Sequence, residues 1–346
     1  MKKTQAPILL LTLALFLLRG VSLEACSRVL WDTDHGNVVA RTMDLYIDDH
    51  ARLVVYPRGI SRNSKLDNTG FNWKSKYGSV TVNSLGSVTS DGMNEKGLSA
   101  NLLYLDGSVY EKESPLPALD NGMLVQYVLD SCSTVDEALR AISKVRIVSV
   151  HIHQKDWPLH LSIADKTGDS AVIEFIDGKR VIHHGAMTHV MTNEPPLDIQ
   201  LANLKKYRAF RGTLPLPGDI DPKSRFVRAS TFLKTLPKPK TNTDALAGVM
   251  SVARTTFVPF GAQDTSGGEA SDTWATLWST IADPSTDCYY FQSTSQPNLL
   301  WIDLHELNLK EGSPVLSINP NNPHLSGDIS ALMKSLKTRK ALIASA

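Results

Sequence analysis

Strand-forming runs in this chain come as hairpin pairs, and its helical stretches come in blocks between them. The runs Cys26–Trp31 and Val38–Asp44 flank Asp32-Thr-Asp-His-Gly-Asn37, a reversal rich in residues that tolerate tight turns. Three more β-prone runs, Leu159–Ile163, Ala171–Ile176 and Val181–His183, are separated by Asp/Gly turns at 165–168 and at Asp177-Gly178. Strands are also expected at 51–57, 77–85, 86–90 and 98–105, and Trp274–Ile281 with Cys288–Ser293 form a hairpin around Asp283-Pro-Ser-Thr-Asp287. Apolar residues fall at helical spacing over Asn121–Ser131, and Thr134-Val-Asp-Glu137 is a capping-box pattern opening a second helix. Helical signals return at Ile199–Ala209 and Asp244–Thr255. The polar stretch Arg58–Gly70 and the segment Asp91–Gly97 read as connections, and the tail from Asp328 as a polar helix. This blockwise order favours an α+β layered protein over the regular alternation of a doubly wound parallel sheet.

The first residues have a different character. Met1-Lys2-Lys3 precedes an apolar run from Ile8 to Leu18, and a short stretch then ends on the small residue Ala25. This is the layout of a secretory signal peptide. The apolar run is about half the roughly 20 residues a helical span of a bilayer needs, and no later segment is longer, so no stable membrane span is expected. Residues 1–25 are thus expected to be removed and 26–346 to fold as one domain, periplasmic or secreted. Loss of Lys2, Lys3, Arg19 and Glu24 takes the formal charge from +1 to −1. Near-neutrality argues against a nucleic-acid partner, which needs clustered Lys and Arg.

The chain has three cysteines, Cys26, Cys132 and Cys288, with no CxxC pair and no Cys/His set at zinc-site spacing. Export permits a Cys132–Cys288 disulfide, and two unpaired buried thiols are an equal alternative. His151 and His153 share a face if extended, while His183 and His184 point to opposite faces. Neither pair shows an acidic or cysteine companion in sequence, so no metal is expected, and no cofactor either. There is no G-x-S-x-G, P-loop or G-x-G-x-x-G.

Cys26 is where these observations meet. A thiol has an ordinary pKa of about 8.5 and a free α-amine about 7.7 to 8, so a cut before Cys26 places a nucleophile and a matched base on one residue. Two other readings stay open at this level. Cys26 can be half of a disulfide, or the lipidated residue of a lipoprotein signal, since Leu23-Glu-Ala-Cys26 has the outline of a lipobox. Lipidation would block the amine, so it and the enzymatic reading exclude each other.

Several segments resemble one family in order: Cys26 and its hairpin, Arg41-Thr-Met-Asp44, Met93-Asn-Glu-Lys-Gly-Leu98, Val190-Met-Thr-Asn-Glu-Pro195, Leu216-Pro-Gly-Asp219 and Ser224-Arg-Phe-Val-Arg228. Together they resemble the choloylglycine hydrolase family, which includes penicillin V acylases, conjugated bile salt hydrolases and acyl-homoserine-lactone acylases. The resemblance implies an N-terminal-nucleophile hydrolase with an αββα sandwich of two antiparallel sheets between helical layers. It further implies that Cys26 attacks an amide carbonyl, that Asp44 holds the α-amine, and that Arg41 lies beside the thiolate. Asn193 and the backbone N–H of Tyr104 would form the oxyanion hole, and Arg225 would be a second arginine of the site. Taken singly, Arg41 reads as a surface arginine, Asp44 and Asn193 as turn residues and Arg225 as a loop cap.

What the resemblance implies about substrate is coarser. Tyr104 is similar to the residue of penicillin V acylases, where bile salt hydrolases commonly carry Asn. The 32-residue interval from Asn193 to Arg225 is shorter than in Gram-positive members, whose added segment helps build tetramers, and is similar to the Gram-negative branch. A small acyl amide is the expected partner, with a homo-oligomer open. Trp31, Met43, Phe71, Trp73, Trp274 and Trp278 are candidates for an apolar acyl pocket and equally for core. Bile salt hydrolysis is the nearest alternative activity, and a non-enzymatic exported ligand-binding lipoprotein the alternative class.

Overall fold

The computed structural model describes residues 26–335, except 65–69, 87, 150, 153–154, 262, 265–270 and 273. The leader at 1–25, His153 and the end of the tail therefore lie outside the described residues.

In chain order the main strands are β1 (Ser27–Trp31), β2 (Val38–Asp44), β3 (Arg52–Tyr56), β4 (Ser79–Ser84), β5 (Val88–Asn94) and β6 (Ser99–Tyr104). Helices α1 (Leu124–Ser131) and α2 (Val135–Ile142) follow, then β7 (Leu159–Ala164), β8 (Ser170–Ile176), β9 (Lys179–His184) and β10 (Val190–Thr192). Next come α3 (Leu197–Leu204), α4 (Pro222–Thr235) and α5 (Asn242–Arg254). The chain ends in β11 (Thr276–Asp283), β12 (Cys288–Ser293), β13 (Leu299–Asp303), β14 (Leu316–Ile318), β15 (Gly327–Asp328) and β16 (Lys334–Ser335).

These strands make two large sheets. One has seven strands in the order β10-β1-β2-β11-β12-β13-β15, and the other nine in the order β9-β8-β7-β6-β5-β4-β3-β14-β16. Pairing is antiparallel except for the short β13·β15 edge pair. Helices α4 and α5 pack on β1, β2 and β10, while α1 packs on β5 and β6 with α2 against it. The result is the α+β fold expected, two antiparallel sheets between helices. One apolar cluster fills the space between the sheets and under α4 and α5, and a second lies between the nine-stranded sheet and α1 and α2.

Local chemistry explains the helix starts. Asp221 accepts from the backbone N–H groups of Lys223 and Ser224, with Pro222 in the first turn of α4. Thr241 and Asp244 form a reciprocal capping box on α5. At α2, Thr134 accepts from Glu137, but the Glu137 carboxylate reaches back to Ser133 rather than to Thr134.

Four expectations need correction. Asp91-Gly-Met-Asn94 is not a turn: β5 runs through it, all seven of its residues are buried, and the reversal is confined to 95–97, with Gly97 at φ +75°. Its polar residues are tolerated because tertiary partners satisfy them. Within 58–70, Ser61–Asn63 pairs with Asn72–Lys74 as a small hairpin. The helix begun near Ile199 stops at Leu204 and gives way to a short 3-10 turn at Arg208–Phe210. Residues 327–335 are two short strands around a 3-10 turn at Ser330–Leu332, not a helix, and Asp328 caps Ser330 there.

Cys26, Cys132 and Cys288 are all free thiols. The histidines do have carboxylate companions, across strands rather than along the sequence. His183 Nε2 lies 3.2 Å from Glu174, His184 Nε2 2.8 Å from Asp169, and His151 Nδ1 2.7 Å from Asp156. His183 is buried and His184 exposed, as the alternation of a strand requires.

Candidate active site

The β1–β2 hairpin builds the first half of the site. Ser27 pairs with Thr42 and Arg28 with Arg41, so the period-2 alternation puts Cys26, Arg28, Arg41 and Met43 on one face. Cys26 Sγ lies 3.5 Å from the Asp44 backbone nitrogen, 3.9 Å from Arg41 Nη2 and 4.0 Å from Met43 Sδ. Arg41 Nη2 also donates to the Leu102 carbonyl at 3.0 Å, and its guanidinium sits 4.6 Å over the Trp278 ring. Asp44 faces the other way, toward Thr42, whose hydroxyl accepts from the Ser27 N–H.

The second half comes from distant segments. Arg225, in the first turn of α4, is fully buried and donates to several described groups. Its Nη1 donates to the Cys26 carbonyl and to Ser27 Oγ, each at 2.7 Å, its Nε to the Ile220 carbonyl at 2.8 Å, and its Nη2 to Asn193 Oδ1 at 3.0 Å. Asn193 follows β10 directly and donates through Nδ2 to the Tyr104 carbonyl at 2.8 Å. Tyr104 is opposite Leu159, while Leu105 N–H bonds to the Pro158 carbonyl. That register makes Tyr104 and Leu159 a non-hydrogen-bonded pair, so the Tyr104 peptide groups point away from β7, to the side where Asn193 stands. All six residues singled out in the sequence, Cys26, Arg41, Asp44, Tyr104, Asn193 and Arg225, are thereby gathered at one place.

Burial dominates the electrostatics. With the Cys26 nitrogen still in its peptide bond to Ala25, burial pushes the thiol up to about 11, against the opposing pull of Arg41. Burial likewise pushes the Asp44 carboxyl up to about 7, with Arg225 the strongest opposing influence. Asp44 Oδ1 is buried and accepts no hydrogen bond within the described residues.

A cleft opens on Cys26, and its walls are mostly apolar. Met43, Leu45, Leu102, Tyr104, Trp157 and Trp274 line it. Of the six aromatic and sulfur candidates, Met43 and Trp274 line the cleft. Trp278 supports Arg41, Phe71 and Trp73 stack beside Tyr127, and Trp31 packs against the Gly248 backbone. Trp157 was not foreseen; it meets the Tyr104 ring edge-on at 6.2 Å. Gln200 was not foreseen either. Its Nε2 donates to Thr192 Oγ1 at 3.1 Å and the Glu194 carbonyl at 3.2 Å, bracketing Asn193. A tryptophan in a connection and a glutamine in a helix give no local sequence signal of such roles.

Residues 26–321 match the model of the linear amide C-N hydrolases, choloylglycine hydrolase family. The chain belongs to the choloylglycine hydrolase family. The match begins at Cys26 itself. A penicillin V acylase from Pectobacterium atrosepticum is 35% identical, over 96% of each chain. The structure of penicillin V acylase from Agrobacterium tumefaciens is similar with a TM-score of 0.80 at 37% identity, covering 90% of this chain and 98% of that one. A conjugated bile acid hydrolase from Clostridium perfringens shares the fold with a TM-score of 0.72 at 22% identity, over 87% and 98% of the two chains. As a choloylglycine hydrolase family member, this protein is an acyl-amide hydrolase of the N-terminal-nucleophile type that works through Cys26.

Proposed function

We propose that removal of residues 1–25 during export frees the Cys26 α-amine, and that the cut protein acts in the periplasm on N-acyl amides with apolar acyl groups, penicillin V among them. The observation that carries this reading is the apolar cleft ending on Cys26 Sγ between Tyr104 and Trp274.

Each step then has a residue. The α-amine takes the thiol proton, and Sγ bonds to the amide carbonyl carbon while the oxygen takes up the electron pair. Arg41, 3.9 Å from Sγ, favours the thiolate. Asn193 Nδ2 and the Tyr104 N–H receive the oxyanion, an arrangement in which losing one donor costs about 3 to 4 kcal/mol. Asp44, with Oδ1 unengaged, accepts from the new α-ammonium and fixes its direction. Collapse re-forms the carbonyl and breaks the C–N bond as the α-ammonium protonates the departing amine. Water then attacks the thioester, giving its proton to the α-amine, and the carboxylic acid leaves with the thiol regenerated. The Tyr104 ring at the cleft wall favours an aromatic or fatty acyl group over a bile acid.

N-terminal and intact-mass analysis of exported protein, before and after mixing with penicillin V, tests this reading. A terminus at Cys26 carrying a transient phenoxyacetyl mass supports it. A lipid-modified terminus, or acylation elsewhere, overturns it. Turnover of glycocholate above penicillin V and long-chain acyl-homoserine lactone would assign the cleft to bile salts instead.

A further inference from the structure

One carboxylate ties the two sheets together behind Arg41. Asp91, in the middle of β5, is fully buried. Its Oδ2 accepts from Asn101 Nδ2 on neighbouring β6 at 2.7 Å and lies 3.9 Å from Arg41 Nε on β2. Its Oδ1 accepts from Thr280 Oγ1 on β11 at 3.1 Å and from the Tyr289 hydroxyl on β12. Three strands of the seven-stranded sheet thus converge on one group of the other sheet. Every one of these neighbours offers a donor, which suits an ionised carboxylate, an acceptor only.

Arg41 is anchored by a hydrogen bond from Nη2 to the Leu102 carbonyl, with Nη2 also reaching Cys26 Sγ, while Nε, which makes no hydrogen bond among the described residues, feels the Asp91 carboxylate as an ion pair at 3.9 Å. A competing force acts on it. Arg28 stands directly opposite Arg41 in the β1–β2 register, is equally buried, and is anchored through Nη1 to the Thr188 carbonyl at 2.9 Å. Like charges directly opposite repel, and more so in a dry interior. Asp91 attracts both guanidinium groups.

We propose that Asp91 is a positioning residue: it fixes the Arg41 guanidinium so that Nη2 remains beside Cys26 Sγ rather than turning away from Arg28. This rests on the proposed role of Arg41 at the nucleophile.

The sign of a pH shift separates positioning from simple charge balance. The charged groups facing the thiol are Arg41 and Asp44 from β2 and Arg225 from α4, together with the freed α-amine in the cut chain. Removing a nearby carboxylate alone favours the thiolate and moves Cys26 alkylation to lower pH. Letting Arg41 turn away does the opposite. Asp91→Asn removes the carboxylate and leaves Arg28 in place to repel Arg41, so the two effects pull the midpoint in opposite directions. Under the proposal, the variant's alkylation midpoint with iodoacetamide should rise by about half a pH unit or more relative to the unaltered enzyme. Its kcat on penicillin V should fall about tenfold or more with KM nearly unchanged.

Tyr289→Phe combined with Thr280→Val loosens Asp91 without changing any charge. It should show the same direction at about threefold in kcat, and it decides the matter if the first variant does not fold. A midpoint that is unchanged or lower in the folded variant, or a kcat equal to that of the unaltered enzyme, overturns the proposal. Intact mass of the unaltered enzyme with penicillin V keeps the two readings apart. Acylation of Cys26 with no effect of the variants refutes the role of Asp91 alone, whereas acylation elsewhere refutes the proposed function itself.

Discussion

Arg225 Nη2 donates to Asn193 Oδ1 at 3.0 Å, and this bond fixes the direction of the Asn193 amide. A guanidinium has donors only, so the amide oxygen must face it, and Nδ2 is turned toward Tyr104 and the cleft. The same fork reaches the Cys26 carbonyl and Ser27 Oγ, so the nucleophile and the oxyanion donor share one anchor.

Asn193→Ala should therefore lower kcat for penicillin V by about 10²- to 10³-fold with little change in KM. Arg225→Lys keeps the charge but loses the fork, and is expected to lower kcat by about tenfold or more without removing either reacting group. Steady-state kinetics checks both. A wild-type kcat in Asn193→Ala would exclude its amide from the oxyanion hole.

The uncut chain should lose stability as pH rises through the range where Asp44 ionises. Its carboxyl sits at about 7 in the fold against an ordinary 3.8. A raised folded value means the fold binds the proton more tightly, so the contribution is complete below the unfolded value and is lost as pH passes the folded one. In a chain kept uncut by Ala25→Trp, adding Asp44→Asn should leave the melting temperature unchanged near pH 4 and raise it increasingly between pH 5 and 8. After cutting, the α-ammonium supplies a counter-charge and the gap should shrink. Parallel pH profiles for the two uncut chains would refute an ionisable buried Asp44.

What was legible in the sequence depended on distance along the chain. Cys26, Arg41 and Met43 meet through a hairpin whose strands and turn are written in consecutive residues, so alternation alone puts them on one face. Asn193 and Arg225 meet Tyr104 and Cys26 only through packing of β10 and α4 on β1, and they were singled out by ordered family resemblance, not by spacing. Asp91-Gly-Met-Asn94 misled because Asp, Gly and Asn are turn residues in isolation. In the fold Asp91 is satisfied by Thr280 and Tyr289, nearly two hundred residues away. No local pattern carries that information, and the same holds for Gln200 and Trp157.

Gly248 in α5 gives a stability test of how that helix seats on the hairpin. Replacing a helix-interior glycine with alanine ordinarily stabilises by about 1 kcal/mol. Here an added Cβ would lie 2.4 Å from Trp31 Cζ3, in the layer where α5 meets β1. Overpacking of this kind typically costs about 1 to 3 kcal/mol, so Gly248→Ala is expected to be destabilising on balance. Urea denaturation of the two proteins decides the sign, and a stabilised variant would mean that the Trp31 ring moves aside freely.

Trp274 should set acyl preference more than it sets catalysis. It is 5% exposed, lines the cleft, and packs its ring against Tyr104 at 5.8 Å and Tyr46 at 5.1 Å. Trp274→Ala removes apolar wall and lengthens the space available beyond Tyr104. Apolar pockets discriminate by about 1 to 3 kcal/mol per methylene, so the ratio of kcat/KM for a long acyl chain over phenoxyacetyl should rise about tenfold or more. Loss of a buried tryptophan also destabilises, by about 3 to 5 kcal/mol, so the comparison is made where circular dichroism shows the variant folded. Because both substrates see the same folded fraction, their ratio is insensitive to that loss. An equal fall for every acyl group would show that Trp274 supports the site without shaping the cleft.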